Sequence, residues 1–168
     1  MSSRNIKRAG VILTNERNEY LVVLGRRWDG PPIWSFPKGH REERETLAEC
    51  AVREMLEESG VTVRLSEPKR NWRCSGTVYF FIGPNNVMNC GPIRDHNEVI
   101  QTAYKSLDEL EQLGRSANIG IRKFIEEKKR ADREGRSVGR EPTHPIERVV
   151  SRAAARPVDG RKWSAVVQ

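Results

Sequence analysis

The fold of this protein is decided by residues 39–61, which read GHREERETLAECAVREMLEESGV. Within this stretch Thr46 and Glu49 have the spacing of a capping box, in which two side chains satisfy the first free backbone N–H groups of a helix. Gly60 can adopt the left-handed conformation that ends a helix. The stretch therefore predicts an α-helix from about Leu47 to Ser59.

Three carboxylates of this helix share one face. Glu54, Glu57 and Glu58 fall within an arc of roughly 100°, because an α-helix turns by about 100° per residue. A different arc holds apolar side chains that can pack on a sheet: Ala48, Ala51, Val52 and Met55. An ordinary solvated acidic face is one interpretation. The other is a site for Mg²⁺ or Mn²⁺, because only Arg53 borders three mutually repelling oxygen ligands.

The charge of the chain is unevenly distributed. The net charge of its 168 residues is +7, but residues 39–61 hold seven Glu against three Arg. The rest of the chain is therefore strongly basic. A basic excess can serve solubility alone, or it can attract an anionic partner toward an acidic site that needs cations to accept it.

Several protein classes are disfavoured by composition. The longest apolar runs have the length of strands, so neither a membrane span nor a membrane partner is expected. Residues 1–10 are polar and basic, unlike a signal peptide. The three cysteines, Cys50, Cys74 and Cys90, lack metal-binding spacing and are expected to be reduced. These features together predict an intracellular protein, with the cytoplasm as the first expectation.

The remaining pattern predicts one α+β domain at residues 1–134. Apolar runs predict strands at residues 8–13, 20–24, 33–36, 61–65, 72–82 and 98–104. A second helix is predicted from about Asn118 to Glu134, with an apolar stripe of Ile119, Ile121, Phe124 and Ile125. Residues 135–168 hold seven Lys or Arg against three Asp or Glu and predict a basic, flexible tail, with a short helix possible at 145–155.

The helix and its approach resemble the signature of Nudix hydrolases. Gly39, five residues, Glu45, seven residues and then Arg53 to Val61 agree with that signature at every defined position. The order of strands and helices extends the resemblance to about Glu134. It implies the Nudix fold, a mixed β-sheet sandwiched between helices, and an enzyme that cuts a diphosphate linkage with Mg²⁺ or Mn²⁺.

The resemblance also implies which residues hold the metal. Glu54, Glu57 and Glu58 are the implied ligands, and one of them would also activate the attacking water. Gly39 would let the backbone turn tightly, so that a loop carbonyl reaches the metal and the loop approaches a phosphate.

Two further catalytic residues are expected. Arg53 can pair with Glu49 or Glu57 one turn away and hold the carboxylates in place. Enzymes of the resembled family often recruit another acid from a later loop. Glu98 is the first candidate and Asp95 the second, although a charge at the end of a strand can also be an ordinary surface residue.

The entry to the signature, Trp34-Ser35-Phe36-Pro37-Lys38-Gly39, resembles that of messenger-RNA decapping enzymes. Capped RNA is therefore the first expected substrate, hydrolysed to release a 7-methylguanosine nucleotide. The expected substrate contacts are Lys38 to phosphate, Trp28 or Trp34 stacking on a base, and Tyr79. Of the two tryptophans, Trp28 is expected to be exposed and Trp34 to be core.

Two alternatives stay open. Pro37 to His40 has the same residues as hydrolases of dinucleoside polyphosphates and of diphosphoinositol polyphosphates, and Tyr79 lies where the former carry a tyrosine. A non-catalytic RNA-binding protein of the Nudix fold is the second alternative. Such a protein would be expected to lack one or more of the site carboxylates, and all three are present.

Overall fold

The computed structural model describes residues 5–65 and 69–141. Strands in this part of the chain are β1 (Arg8–Leu13), β2 (Tyr20–Gly25), β3 (Ile33–Ser35), β4 (Lys38–His40), β5 (Val61–Val63), β6 (Asn71–Cys74), β7 (Thr77–Ile82), β8 (Val87–Cys90) and β9 (Val99–Lys105). The α-helices are α1 (Leu47–Ser59), α2 (Leu107–Gln112) and α3 (Ile119–Arg133). The α+β class is confirmed.

The centre of the fold is a mixed four-stranded sheet in the order β4-β1-β7-β6. Strands β1 and β7 run parallel, whereas β4 pairs with β1 and β6 pairs with β7 in antiparallel fashion. A second sheet has the order β3-β2-β9, and β5 pairs with β8. The predicted mixed sheet between helices is therefore present.

The two faces of the mixed sheet carry two separate cores. Side chains alternate along a strand, so Val11 and Leu13 of β1 face one way and Ile12 the other. Val11 and Leu13 pack in the cluster that contains the apolar face of α1, including Met55. Ile12 packs in the cluster that contains Phe124 of α3. The sheet thus places α1 and α3 on opposite sides.

Helix α1 begins and ends where the sequence predicts. The Thr46 hydroxyl accepts from the backbone N–H of Glu49 at 3.1 Å, and the Glu49 carboxylate accepts from that of Thr46 at 3.1 Å. Gly60 lies at φ 73° and donates its N–H to the carbonyl of Leu56 at 2.9 Å. All of these signals are local in sequence, which is why the helix could be predicted to the residue.

Two predicted elements differ from the structure. The single strand over 72–82 is wrong, because Ser75 and Gly76 both have positive φ and form the turn of a β6–β7 hairpin. The predicted apolar stripe of α3 is wrong at one position, since Ile119 is 43% exposed whereas Ile121 and Phe124 are buried. Ile119 is the first residue of the helix, and the buried residues begin after it at Gly120 and Ile121.

Three short elements had not been predicted. Strands β4 and β8 are three and four residues long and carry no periodic signal of their own. Helix α2 had a readable signal, because Ser106 caps it by accepting from the N–H of Glu109 at 3.2 Å. The Ser-x-x-Glu spacing is that of a capping box.

Residues 135–141, which the sequence assigned to the flexible tail, lie against the core. Val138 is buried, and Asn71 and Arg140 exchange two backbone hydrogen bonds of 2.9 and 2.7 Å. Residues 142–168, including the short helix predicted at 145–155, lie outside the described residues. None of the helices in the described ranges is long and apolar enough to cross a membrane.

Candidate active site

The polar face of α1 lies along β4. Glu58 and Glu54 of the helix reach Lys38 and Gly39 of the strand, and Arg53 reaches the carbonyl of His40. Strand β4 is held in this place by antiparallel pairing with β1. The sheet therefore fixes the distance between the residues before the helix and the carboxylates on it.

Arg53 is the centre of a network of hydrogen bonds. Its guanidinium donates to both oxygens of Glu45 at 2.7 and 3.0 Å, to Glu54 at 2.9 Å and to Glu57 at 3.2 Å. The hydrogen bond to Glu45 and the charges of Glu45 and Glu54 raise the pKa of Arg53. The predicted pair with Glu57 is present. The alternative pair with Glu49 is absent, because that carboxylate caps the helix instead.

The sequence identifies Glu45 only as a position of the signature. Burial is the largest single influence and would raise its pKa, but the hydrogen bonds from Arg53 and from the backbone of Glu42 together with the charge of Arg53 lower it. Glu45 therefore stays ionised and anchors the guanidinium. Its position in the signature was the feature of the sequence that could have indicated this role.

Glu58 is the most buried of the three helix carboxylates. Only 9% of the residue is exposed, and one of its oxygens accepts from the backbone N–H of Lys38 at 3.0 Å. Burial raises its pKa to about 8, and the N–H and charge of Lys38 oppose the rise. A cation near the free oxygen would favour the ionised form.

Gly39 lies directly against the carboxylate of Glu54. A Cβ at this position would overlap that carboxylate, so the Glu54 side chain would have to leave its present position. The expected tight turn is wrong, because Gly39 lies in β4 and is not among the described glycines with positive φ. Its carbonyl accepts from the thiol of Cys50 at 3.5 Å.

Glu98 stands in the loop before β9 and acts on the helix carboxylates. Its charge contributes to raising the pKa of both Glu54 and Glu58, after the larger effect of burial. Asp95 has a different task, since its carboxylate accepts from the N–H groups of Asn97 and Glu98 at 3.2 and 3.1 Å. The additional catalytic acid, Glu98 first and Asp95 second, therefore stays a prediction.

The loop that carries Glu98 is attached to α1. The backbone N–H groups of Arg94 and Asp95 donate to the carbonyl of Glu57 at 3.1 and 2.9 Å. This link between a distant loop and the helix could not be read from the sequence. It brings an acid from residue 98 to a site built by residues 38–58.

The donor set fits a hard divalent cation by type. All of its members are carboxylate oxygens, and burial raises the pKa of Glu54 and Glu58, which an added positive charge would offset. Across residues 5–65 and 69–141, no three acidic, His or Cys side chains converge closely enough to enclose a metal ion. Arg53 bridges the carboxylates of Glu54 and Glu57, and the N–H of Lys38 engages that of Glu58.

The four predicted substrate contacts have different surroundings. Trp28 is 97% exposed, and its loop begins at Arg26, whose N–H donates to the carbonyl of Glu98 at 2.7 Å. Lys38 lies beside Glu58. Trp34 packs against the core cluster that contains Phe124, and the ammonium of Lys105 lies 4.9 Å from the centre of the Trp34 ring. The expected exposure of Trp28 is confirmed.

Tyr79 does not contact substrate. It is 2% exposed and lies between Phe36 and Trp72, each with its ring centre 5.8 Å away. The expectation of a substrate contact is wrong because β7 is an inner strand with both faces covered.

The comparison with known proteins agrees with this geometry. The model of the NUDIX domain family matches residues 4–127. The Nudix hydrolase of Nitrosomonas europaea has a similar structure, with a TM-score of 0.57, 20% identity, and coverage of 74% of this chain and 88% of the other. The chain therefore belongs to the NUDIX domain family.

Two curated relatives add substrate names. An RNA pyrophosphohydrolase of Wolbachia sp. subsp. Brugia malayi is 31% identical over 82 residues, covering 48% of this chain and 47% of the relative. A putative 8-oxo-dGTP diphosphatase of Bacillus subtilis is 43% identical over 58 residues, covering 34% and 37%. The matches thus span about half or less of the length of these relatives.

Proposed function

We propose that this protein is a metal-dependent hydrolase of a phosphoanhydride bond at the 5′ end of RNA. The observation that carries the proposal is the arrangement around Arg53, which aligns Glu54 and Glu57 beside the buried Glu58 and the N–H of Lys38. Such a carboxylate cluster can hold divalent cations, which would offset the negative charge that builds up on a diphosphate during hydrolysis.

Each residue has a definite part in this proposal. Glu54, Glu57 and Glu58 hold Mg²⁺ or Mn²⁺, and Gly39 leaves the space in which the Glu54 carboxylate lies. The cation supplies Lewis-acid stabilisation of the diphosphate oxygens. Glu98 or Glu58 accepts a proton from the attacking water. The Lys38 ammonium neutralises charge on the phosphate that leaves, while Arg53 keeps two carboxylates in position.

RNA is favoured as the substrate by three features. One curated relative is named for pyrophosphohydrolysis of RNA. The chain outside residues 39–61 is strongly basic. Trp28 is 97% exposed and free to stack on a base, and it lies two residues after Arg26, whose N–H donates to the carbonyl of Glu98. Within this class the 5′ cap is the finer proposal, with a methylated guanine on Trp28 and a 7-methylguanosine nucleotide as product.

Hydrolysis of a small nucleoside or inositol polyphosphate is the second candidate. The relative named as a putative 8-oxo-dGTP diphosphatase favours it. A non-catalytic RNA-binding role fits less well, because all the site carboxylates are present.

A substrate panel separates these functions. Capped RNA, 5′-triphosphorylated RNA, free cap dinucleotide, a diadenosine polyphosphate, 8-oxo-dGTP and a diphosphoinositol polyphosphate are compared at equal concentration with Mg²⁺ and with Mn²⁺. The proposal expects the highest kcat/KM on an RNA. A preference for a small nucleotide by tenfold or more would overturn the RNA assignment but leave the hydrolase in place.

The Glu58→Gln variant provides the test of the site. The substitution keeps the shape and the acceptor for the Lys38 N–H but removes a metal ligand, so turnover is expected to fall by at least about a hundredfold. Glu16→Gln, on the exposed turn between β1 and β2, is the matched control. Equal turnover of the two variants at saturating metal would remove Glu58 from the site.

A further inference from the structure

A groove of about 560 Å³ lies on the α3 side of the mixed sheet. Tyr20, Phe81 and Phe124 lie at its floor, where Tyr20 and Phe124 are buried and Phe81 is partly exposed. Phe124 contacts the other two, with ring centres 5.2 Å from Tyr20 and 6.2 Å from Phe81. Grooves of this volume, with an apolar floor and a few polar groups, are typical of small-ligand sites.

One wall of the groove is the segment of residues 136–141. The segment is held to β6 by the two backbone hydrogen bonds between Asn71 and Arg140. Gly139 makes this possible, because at φ 89° a Cβ would lie 2.7 Å from both the carbonyl oxygen of Asn71 and the ring of Phe81. The wall is therefore a fixed part of the fold rather than a loop that lies there by chance.

The rim of the groove carries more cations than acids. Four basic side chains line it, against the carboxylates of Asp132 and Glu141: Lys69, Arg70, Lys128 and Arg136. Arg70 pairs with Glu141 at 3.0 Å and Lys128 pairs with Asp132. Arg136 pairs with Glu127 at 3.1 Å and with Glu134 at 2.6 Å. Lys69 makes no ion pair within residues 5–65 and 69–141. An anionic ligand would therefore meet one unpaired cation and three cations that already have acidic partners.

The groove is distinct from the carboxylate site. Its aromatic residues Tyr20 and Phe124 belong to the core between the mixed sheet and α3, whereas α1 packs on the opposite face. Residues 142–168 have a basic excess, the same sign as the rim. Charge therefore favours an anionic occupant over this following segment.

We infer that the groove is a second nucleotide site, which takes a base beside the partly exposed ring of Phe81 and a phosphate on the cationic rim. The hydroxyl groups of Thr14, Tyr20 and Ser137 also line the groove and can bond the polar edges of a base or ribose. The nucleotide comes either free from solution or from a single strand of RNA, and both present the same chemistry.

Calorimetric titration of the full chain with GMP in metal-free buffer tests this inference. Without metal the carboxylate site repels phosphate, so saturable binding reports the groove. GMP is expected to bind at least about tenfold more tightly than inorganic phosphate or guanosine, because stacking and charge act together. Glu58→Gln should leave the GMP affinity unchanged, which also keeps this test separate from that of the hydrolase.

Charge reversal assigns the binding to the groove. Lys69→Glu is expected to weaken GMP binding by at least about fivefold, because it replaces the unpaired rim cation with an anion. Arg122→Glu is the matched control, since it makes the same charge change at an exposed position of α3 outside the groove. Equal affinities of the two variants, or no saturable GMP binding by the unaltered protein, would overturn the inference.

The source of the nucleotide is decided by competition. If the groove holds part of an RNA strand, a tetraribonucleotide with a 5′-hydroxyl group should displace GMP, and Lys69→Glu should weaken the binding of that tetraribonucleotide. If the tetraribonucleotide does not displace GMP, the ligand is a free nucleotide.

Discussion

Replacing Arg53 tests whether its network holds the site together. In Arg53→Ala the carboxylates of Glu45 and Glu54, each with a side chain only 12% exposed, lose their charged partner. Glu57 is 42% exposed and can be rehydrated, so it adds little. Two mostly buried carboxylates at about 1.5 kcal/mol each give an expected loss of about 3 kcal/mol in the free energy of unfolding.

Urea unfolding at pH 7 in metal-free buffer measures this loss. Arg53→Lys retains the charge but not the planar fork, and is expected to lose about half as much. Arg41→Ala, an exposed arginine of the same signature region, is the control and should change stability by less than about 0.5 kcal/mol. A loss below about 1 kcal/mol for Arg53→Ala would refute the reasoning.

The pH dependence of the same variant gives a second check. Because Arg53 lowers the pKa of Glu45 in the folded protein, the stability from this pair is present above the unfolded pKa of Glu, about 4.3, and is lost as pH falls through the lower folded value. The difference between the unaltered protein and Arg53→Ala should therefore shrink as pH falls below about 4. A difference that grows in acid would contradict the assignment of the pair.

Three further outcomes are expected. Trp28→Ala should weaken substrate binding by about 1–3 kcal/mol, seen as a higher KM, and leave the melting temperature unchanged because the ring is 97% exposed; an unchanged KM would remove it from recognition. Gly139→Ala should lower the free energy of unfolding, measured in urea, by about 2–3 kcal/mol and by more than Gly135→Ala does. Both glycines have positive φ, but only at Gly139 would an added Cβ lie 2.7 Å from other atoms, so equal losses would contradict the close approach. Truncation after Glu141 should leave the stability unchanged but lower the activity on long capped RNA and flatten its salt dependence. Hydrolysis of the free cap dinucleotide should be unaffected. If the truncated enzyme kept the same dependence on RNA length and on salt, RNA tracking by the basic segment would be excluded.

The parts of the site that the sequence predicted depend on residues close together in the chain, whereas the parts that it missed depend on how distant segments fold together. The face of Glu54, Glu57 and Glu58 follows from helical spacing alone. The bond from Arg53 to Glu45 depends on how the loop before the helix folds back, which no periodicity encodes. Tyr79 was assigned to the substrate from its place in the resembled hydrolases, although the nearly continuous apolar run of β7 is typical of a strand covered on both faces.

The sequence by itself determined helix α1, its caps, its acidic face and the family to which the chain belongs. These features depend on residues a few positions apart, whose relative geometry within a helix is the same whatever the rest of the fold. Only the tertiary structure decided that β4 lies against the helix, that Glu98 acts on its carboxylates and that residues 136–141 form a wall over Phe81. Such contacts join residues far apart in the chain, and they exist only because the two cores pack β1 and β7 between α1 and α3.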